Sequence, residues 1–237
     1  MKTNGPDPGT RRGGEVRLMF SAIAPRYDLL NHLLSLNIDR YWRKKAAKAL
    51  GPEAGKLYLD LCCGTGDFSL ELMKREGVKV VGVDFSAEML RIAEGKRSGR
   101  SALKLAAGDA LSLPFKDGSF DGGTVAFGIR NFEKLEEGMN EICRVMKKGA
   151  GFVVLEFPHK VGGVLGPLFN FYFRNILPLI GRLISKDSFA YTYLPESVGH
   201  FPADEELKEL FARCGFELLS FRKRTLGIVL EAAIKKR

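Results

Sequence analysis

At 237 residues and 45% hydrophobic, the chain is long enough to bury a full core as one domain. Its formal net charge of +9 suits nucleic acid, an anionic membrane surface or an acidic ligand, and equally a solvated basic surface without a partner. Four cysteines without CxxC or zinc-ligand spacing exclude a metal-binding cysteine framework and point to a reduced, cytoplasmic compartment.

The opening MKTNGPDPGTRRGG has no apolar h-region, so it reads as a flexible polar tail over 1–14 and not as a secretory signal. Residues 15–50 are predicted helical, because Ile38, Tyr41, Trp42, Ala46, Ala49 and Leu50 recur at helical spacing. From residue 56 strands near 56–61, 79–83, 103–107, 120–126 and 151–157 alternate with helices near 67–76, 87–97 and 134–147. That alternation predicts an α/β fold, a parallel sheet with helices on both faces, in a single domain over 15–237. After a helix at 204–214, GFELLSF (215–221) and TLGIVLEAAI (225–234) are joined by only a few residues, which favours an antiparallel pair at the sheet edge.

One segment breaks the rhythm. VGGVLGPLFNFYFRNILPLIGRLI (161–184) is almost wholly apolar, but Arg174 near its middle and the prolines rule out a membrane span. Asn170, Arg174, Arg182 and Lys186 lie at multiples of four, so a kinked amphipathic lid is expected within an insertion over 161–200. Its Phe169 and Phe173 are candidate substrate contacts, with plain core packing as the alternative.

The stretch LYLDLCCGTGDFSLEL (57–72) passes from buried strand to helix through Gly64-Thr65-Gly66, a turn at which a ligand can approach bare backbone. Asp60 at the strand end can orient that loop or meet a cationic amine. Asp84 ends VVGVD, 24 positions later, where a carboxylate can accept both hydroxyls of a ribose. Asp109, in AAGDALSLPF, can accept from an adenine amino group beside Ala110. A dinucleotide fingerprint would want a third glycine where Ser69 stands. Three acidic strand ends without a partner lysine suit an adenosine carrying a sulfonium and an amino group, so S-adenosylmethionine is the expected ligand.

LDLCCGTGD, GVDFSAEML, GDALSLPF, FDGGTVAFGIRNF and RVMKKGAGFVVLEF together resemble the ubiquinone/menaquinone biosynthesis C-methyltransferases. YDLLNHLLSLNIDRYW and YTYLPESVGHFP extend the resemblance over nearly the whole chain from about Arg17. It implies a class I, Rossmann-like S-adenosylmethionine-dependent methyltransferase with a mostly parallel seven-stranded sheet. It further implies methyl transfer to a ring carbon of a polyprenylated hydroquinone, first demethylmenaquinol to menaquinol, alternatively a 2-methoxy-6-polyprenyl-benzoquinol, or both. Carried over by position, Thr65, Asp84, Phe85, Asp109 and Ala110 would contact the methyl donor, and Cys62 and Cys63 would be small packing residues. Three positions depart from the family pattern: Ala126 and Pro158 stand where serines are usual, and Asp39 where a histidine is common. A polyprenyl tail implies transient contact with the membrane surface from its inner, cytoplasmic face; a homo-oligomer is an open option, and neither metal nor nucleic acid is expected.

A sulfonium methyl needs no metal, so the chemical difficulty lies in the ring carbon, which attacks well only when a ring hydroxyl is deprotonated or nearly so. Arg130 and Asn131, following the fourth strand, are the expected catalytic pair: Arg130 to stabilise the aryloxide or polarise a water, Asn131 to orient the ring oxygen. A structural pairing of Arg130 with Glu133 or Asp121 is the alternative. Tyr27, Asp28, Phe127 and Tyr193 are assigned to the substrate side, although Tyr27 and Asp28 equally suit fixing the N-terminal helix to the core. Asp39 reads as a helix N-cap. His32, His159 and His200 read as structural, His200 becoming a proton acceptor only if its segment folds over the site. Of the rivals, nucleic-acid methyltransferases lack support because neither an Asn/Asp-Pro-Pro-aromatic run nor Pro-Cys occurs. An NAD-linked oxidoreductase lacks its third glycine, and a non-catalytic adenosylmethionine-binding membrane adaptor is kept open by Ala126.

Overall fold

The computed structural model describes residues 13–162, 166–167, 171, 175 and 189–237. Two helices, α1 (Gly13–Leu34) and α2 (Ile38–Leu50), precede a seven-stranded sheet. Its strands are β1 (Leu57–Leu61), β2 (Lys79–Asp84), β3 (Leu103–Ala107), β4 (Phe120–Ala126), β5 (Met146–Glu156), β6 (Phe216–Arg224) and β7 (Val229–Lys236). The connecting helices are α3 (Asp67–Leu72), α4 (Ala87–Arg97), α5 (Leu135–Val145), α6 (Phe189–Gly199) and α7 (Asp204–Arg213).

The spatial order is β3-β2-β1-β4-β5-β7-β6, with β1 to β5 parallel and β7 antiparallel to both its neighbours. Chain direction across the sheet reverses between β1 and β4, which opens a crevice at their carboxyl ends. Gly123 lets β4 sit close there: a Cβ on it would stand 2.8 Å from the Phe152 ring and 2.9 Å from the Leu59 carbonyl oxygen. Met139, Ile142, Phe211 and Phe216 cover one face of the sheet, and Trp42, Ala46, Phe68 and Leu72 the other. A third cluster holds α1 down through Val16, Met19, Ile23 and Leu30 against Met89 and Tyr193.

Several boundaries differ from the sequence reading. β5 begins at Met146, because α5 runs straight into it and Met146 pairs with Phe120 ahead of an irregularity in register. α3 is only six residues long and ends at Leu72. The last two strands do pair antiparallel, but only β6 lies at the edge; β7 is interior, its residues 229–234 all buried. Asp39 is not an N-cap. Asn37, at φ 60°, occupies the cap position, and Asp39 lies inside α2 with its carboxylate buried. α1 starts at Gly13 and so takes in the last two residues of the tail expected over 1–14; residues 1–12 lie outside the described residues, and so does most of the expected lid over 161–200. Among the described residues no helix is long and apolar enough to cross a membrane.

Candidate active site

The turn after β1 is held in the left-handed region at three positions, Cys62 (φ 54°), Gly64 (φ 54°) and Gly66 (φ 85°). A cysteine at φ 54° stands where glycine would be relaxed. Its room comes from across the crevice, since a Cβ on Gly128 would lie 2.7 Å from the Cys62 Cβ. Cys63 points to the other side, where Gly82 makes space for its sulfur. Burial, reinforced by nearby carboxylates, pushes both thiols well above the ordinary range, so neither is a nucleophile at neutral pH.

Asp84 closes the loop from below. One oxygen accepts from the Gly64 N–H at 2.8 Å and the other from the Ser86 N–H at 2.9 Å. Each carboxylate oxygen keeps a further lone pair for a ligand hydroxyl. Burial raises the Asp84 pKa against the pull of those amides. Ser86 also caps α4, accepting from the Met89 N–H, which fixes Phe85 and Met89 on the crevice wall. Asp109 accepts from the Leu111 N–H at 2.9 Å, bending the chain after β3 so that Asp109 and Ala110 face the same space.

That space is a cavity of about 580 Å³. It brings together the predicted residues Tyr27, Gly64, Asp84, Phe85, Asp109, Ala110, Phe127 and Asn131. Burial raises the pKa of the Tyr27 phenol, which hydrogen-bonds to Asn31. Phe127, at φ 56°, packs on Phe157 with ring centroids 4.8 Å apart. Asn131 is fixed from both ends: its Oδ1 accepts from the Tyr193 hydroxyl at 2.8 Å, and its Nδ2 donates to the Phe127 carbonyl at 3.4 Å.

Six predicted residues stand behind the wall, one of them Tyr193 with its hydroxyl on Asn131. Asp60 accepts from Ser69 (2.6 Å) and Thr124 (3.1 Å), so it orients the loop. Gly66 packs under α4, where a Cβ would meet the Ala93 Cβ at 3.2 Å. Thr65 donates to Asp28 (2.5 Å) and accepts from Lys96, which in turn pairs with Asp28 (2.5 Å) and Asp67 (2.7 Å). Asp28 therefore clasps α1 to the glycine turn. Arg130 pairs with neither Glu133 nor Asp121 but with the fully buried Glu156 at 2.6 Å, and also donates to the Phe127 carbonyl at 2.6 Å. Its Nε–H is buried without an acceptor among the described residues. Phe169 and Phe173 lie outside the described residues.

The sequence reading missed the cavity contributions of Gly14, Arg17, Phe20 and Cys62. Gly14, Arg17 and Phe20 recur every three residues ahead of Tyr27, a helical face that marks α1 as a wall of the site. His32 and Asp39, seven residues apart, come together with the distant Asp67, the three within 4.8 Å of one another. Arg43 bonds Asp39 and lies 3.8 Å from Asp67, so a cation is already built in. Burial opposes the charge of Asp39, yet the Ser35 hydroxyl and Arg43 hold its pKa below the usual carboxylate range. His200 is exposed, its Nδ1 on the Glu196 carbonyl, and is not part of the cavity wall.

The donor set fits an adenosine with a cationic tail better than a pyrophosphate. α3 is short, which weakens its dipole, and Ser69 fills the third-glycine position with a hydroxyl committed to Asp60. Solved structures share this fold over most of the chain. The [4+2]-cyclase SpnF superposes with a TM-score of 0.70 at 15% identity, covering 97% of both chains. An S-adenosylmethionine-dependent methyltransferase from Aquifex aeolicus does so with 0.62 at 18%, covering 82% of this chain and 89% of its own. Fold and site together define an enzyme of the S-adenosylmethionine-dependent methyltransferase class. Curated relatives are closer. The demethylmenaquinone methyltransferase of Deinococcus radiodurans is 44% identical over 95% of each chain, and that of Thermus thermophilus 49% over 86% of this chain and 95% of its own. The ubiquinone/menaquinone biosynthesis C-methyltransferase UbiE of Geobacter sulfurreducens is 42% identical, over 92% and 87%. Residues 9–235 match the model of the ubiE/COQ5 methyltransferase family, and the chain belongs to that family.

Proposed function

We propose that the enzyme methylates a ring carbon of a polyprenylated hydroquinone in quinone biosynthesis, with demethylmenaquinol as acceptor and menaquinol as product. The observation that carries the reading is the continuity of the cavity, from the acidic ends of β2 and β3 to an aromatic end at Phe127 and Phe132 where the Asn131 amide is the fixed polar group. Demethylmenaquinone methyltransferases at 44–49% identity favour the naphthoquinol ring over the benzoquinol one.

S-Adenosylmethionine supplies an electrophilic methyl on a sulfonium whose leaving thioether is neutral. Asp84 and the Gly64 turn would hold it, with Asp109 and Ala110 available to its base. Asn131 has one amide hydrogen without an acceptor among the described residues, set to donate to the ring oxygen as charge develops there. Arg130 acts from behind the wall: Glu156 and the Phe127 carbonyl fix its guanidinium, which holds the turn carrying Phe127 and Asn131 in place. Tyr27 closes the cavity over Gly64, its ring 3.7 Å from where a Gly64 Cβ would be, keeping the reacting groups out of water. The tail requires the enzyme to work at the inner, cytoplasmic surface of a membrane.

The test offers labelled S-adenosylmethionine with reduced demethylmenaquinone and, separately, with a reduced demethylated ubiquinone precursor. Label on the naphthoquinol alone is expected. Label on the benzoquinol alone would reassign the ring, and donor binding with label on neither would overturn the enzymatic acceptor proposed here.

A further inference from the structure

We propose that the outward face of α1, with the turn leading into α2, is the surface by which the enzyme docks on an anionic phospholipid bilayer. The inference rests on the prenylated acceptor only for its purpose; the surface itself is defined by exposure and charge.

α1 carries two apolar faces. Val16, Met19, Ile23 and Leu30 are buried on the inner one, but Leu18, Leu29 and Leu33 are exposed on the other. At 100° per residue these three fall within about 60° of one another, and Leu36 in the following turn continues the line. Leu36 is 77% exposed, the highest value among the described large hydrophobics, and Tyr41 on α2 stands exposed close by in the chain. An apolar stripe of this length left in water marks an interaction site.

Leu36 adds an independent point. It sits at φ 52°, in the left-handed region where glycine or asparagine is relaxed and a leucine is strained. At 77% exposed, it gains little burial to offset the strain in the isolated protein. Insertion of its side chain into an apolar phase would.

The rim selects the partner. Arg40, Lys44 and Lys48 are exposed along one face of α2 beside Tyr41, and the single exposed acid within residues 13–50 is Glu15. The other two acids of that stretch are taken, Asp28 by Lys96 and Asp39 by Arg43. A helix with leucines on its outer face and lysine and arginine beside them fits the acyl and headgroup layers of an anionic membrane. Docking there keeps the cavity about one helix diameter from the bilayer, because Gly14, Arg17, Phe20 and Tyr27 line it from another face of the same helix.

The test is co-sedimentation of the full chain with vesicles of phosphatidylcholine alone or with about one-third phosphatidylglycerol, no quinol present. Wild type should bind the mixed vesicles and release in high salt. Leu33→Ser and Leu36→Asn should each weaken binding about tenfold, in line with loss of one inserted leucine. Leu36→Asn should match or exceed wild type in thermal stability, which a purely structural role would not allow. Both variants should methylate a short-chain, water-soluble quinol at the wild-type rate. Loss of vesicle binding upholds the surface even if no quinol is methylated, in which case only the acceptor reading fails. Unchanged binding by both variants, equal binding to neutral vesicles, or a solution dimer of wild type that Leu33→Ser dissolves would overturn the proposal, the last by assigning the face to a second copy of the chain.

Discussion

Replacing Asp60 by asparagine should change how stability depends on pH, by an amount fixed by one buried carboxyl. Asp60 is 1% exposed, and burial lifts its pKa from 3.8 to about 6, against hydrogen bonds from Ser69 and Thr124 and the charge of Arg43. The folded state thus holds this proton about two units more tightly than the unfolded chain does. The resulting stability is fully present below the unfolded value, falls as pH rises between about 4 and about 6, and is gone above the folded value. At 1.36 kcal/mol per unit the total is about 3 kcal/mol at most, of which about 2 kcal/mol falls between about pH 4.5 and pH 8. Asp60→Asn removes the titration and keeps an acceptor for one hydroxyl, while the other can turn to accept from the new amide. Urea unfolding of both proteins at those two pH values should therefore show the variant gaining about 2 kcal/mol on wild type at the higher pH. An equal difference at both values would refute the assignment of a destabilising, desolvated charge to Asp60.

Two further substitutions probe the crevice. Asn131→Ala should lower kcat about 100-fold or more with little change in donor affinity, and Tyr193→Phe, which only loosens the amide, should have a smaller effect; steady-state kinetics separates them. Gly128→Ala should destabilise by about 1–3 kcal/mol because its methyl meets Cys62, and adding Cys62→Gly should recover most of that loss, a non-additivity read from thermal melts of the double-mutant cycle.

The sheet was legible because its interior strands include short, largely apolar runs that lead into turns, as in LYLDL and VVGVD. The interior position of β7 was not, since an antiparallel pair of similar composition does not say which member meets β5; burial of 229–234 decides it. Gly64 and Asp84 could be placed on the cavity from strand-turn-helix spacing alone. Asp60 could not, because its direction depends on Ser69 arriving from α3 to bind it. The clasp of Asp28 on Thr65 joins residues 37 positions apart and exists only once α1 has docked. Asp39 misled for a local reason: Leu36 and Asn37 both turn left-handed, α2 starts one residue before Asp39, and the carboxylate then meets Arg43 one turn on.

The two faces of α1 explain how one helix can serve the cavity and a surface without the demands colliding. The inner face is held by the third apolar cluster and by the Asp28–Thr65–Lys96–Asp67 ionic chain. Truncating Leu33 or Leu36 on the outer face therefore removes little that folding depends on, whereas cutting Met19 or Leu30 opens the core beneath it. Disrupting the ionic chain is a third kind of change. Lys96→Met would leave Asp28 without its ion-pair partner beside the glycine turn, Asp67 keeping Arg43, and would loosen the wall that carries Tyr27, so its effect belongs on donor affinity. On the roles proposed above, lipid binding, donor binding and fold stability would map to three separate sets of side chains on and around one helix, and substitutions in different sets should combine additively.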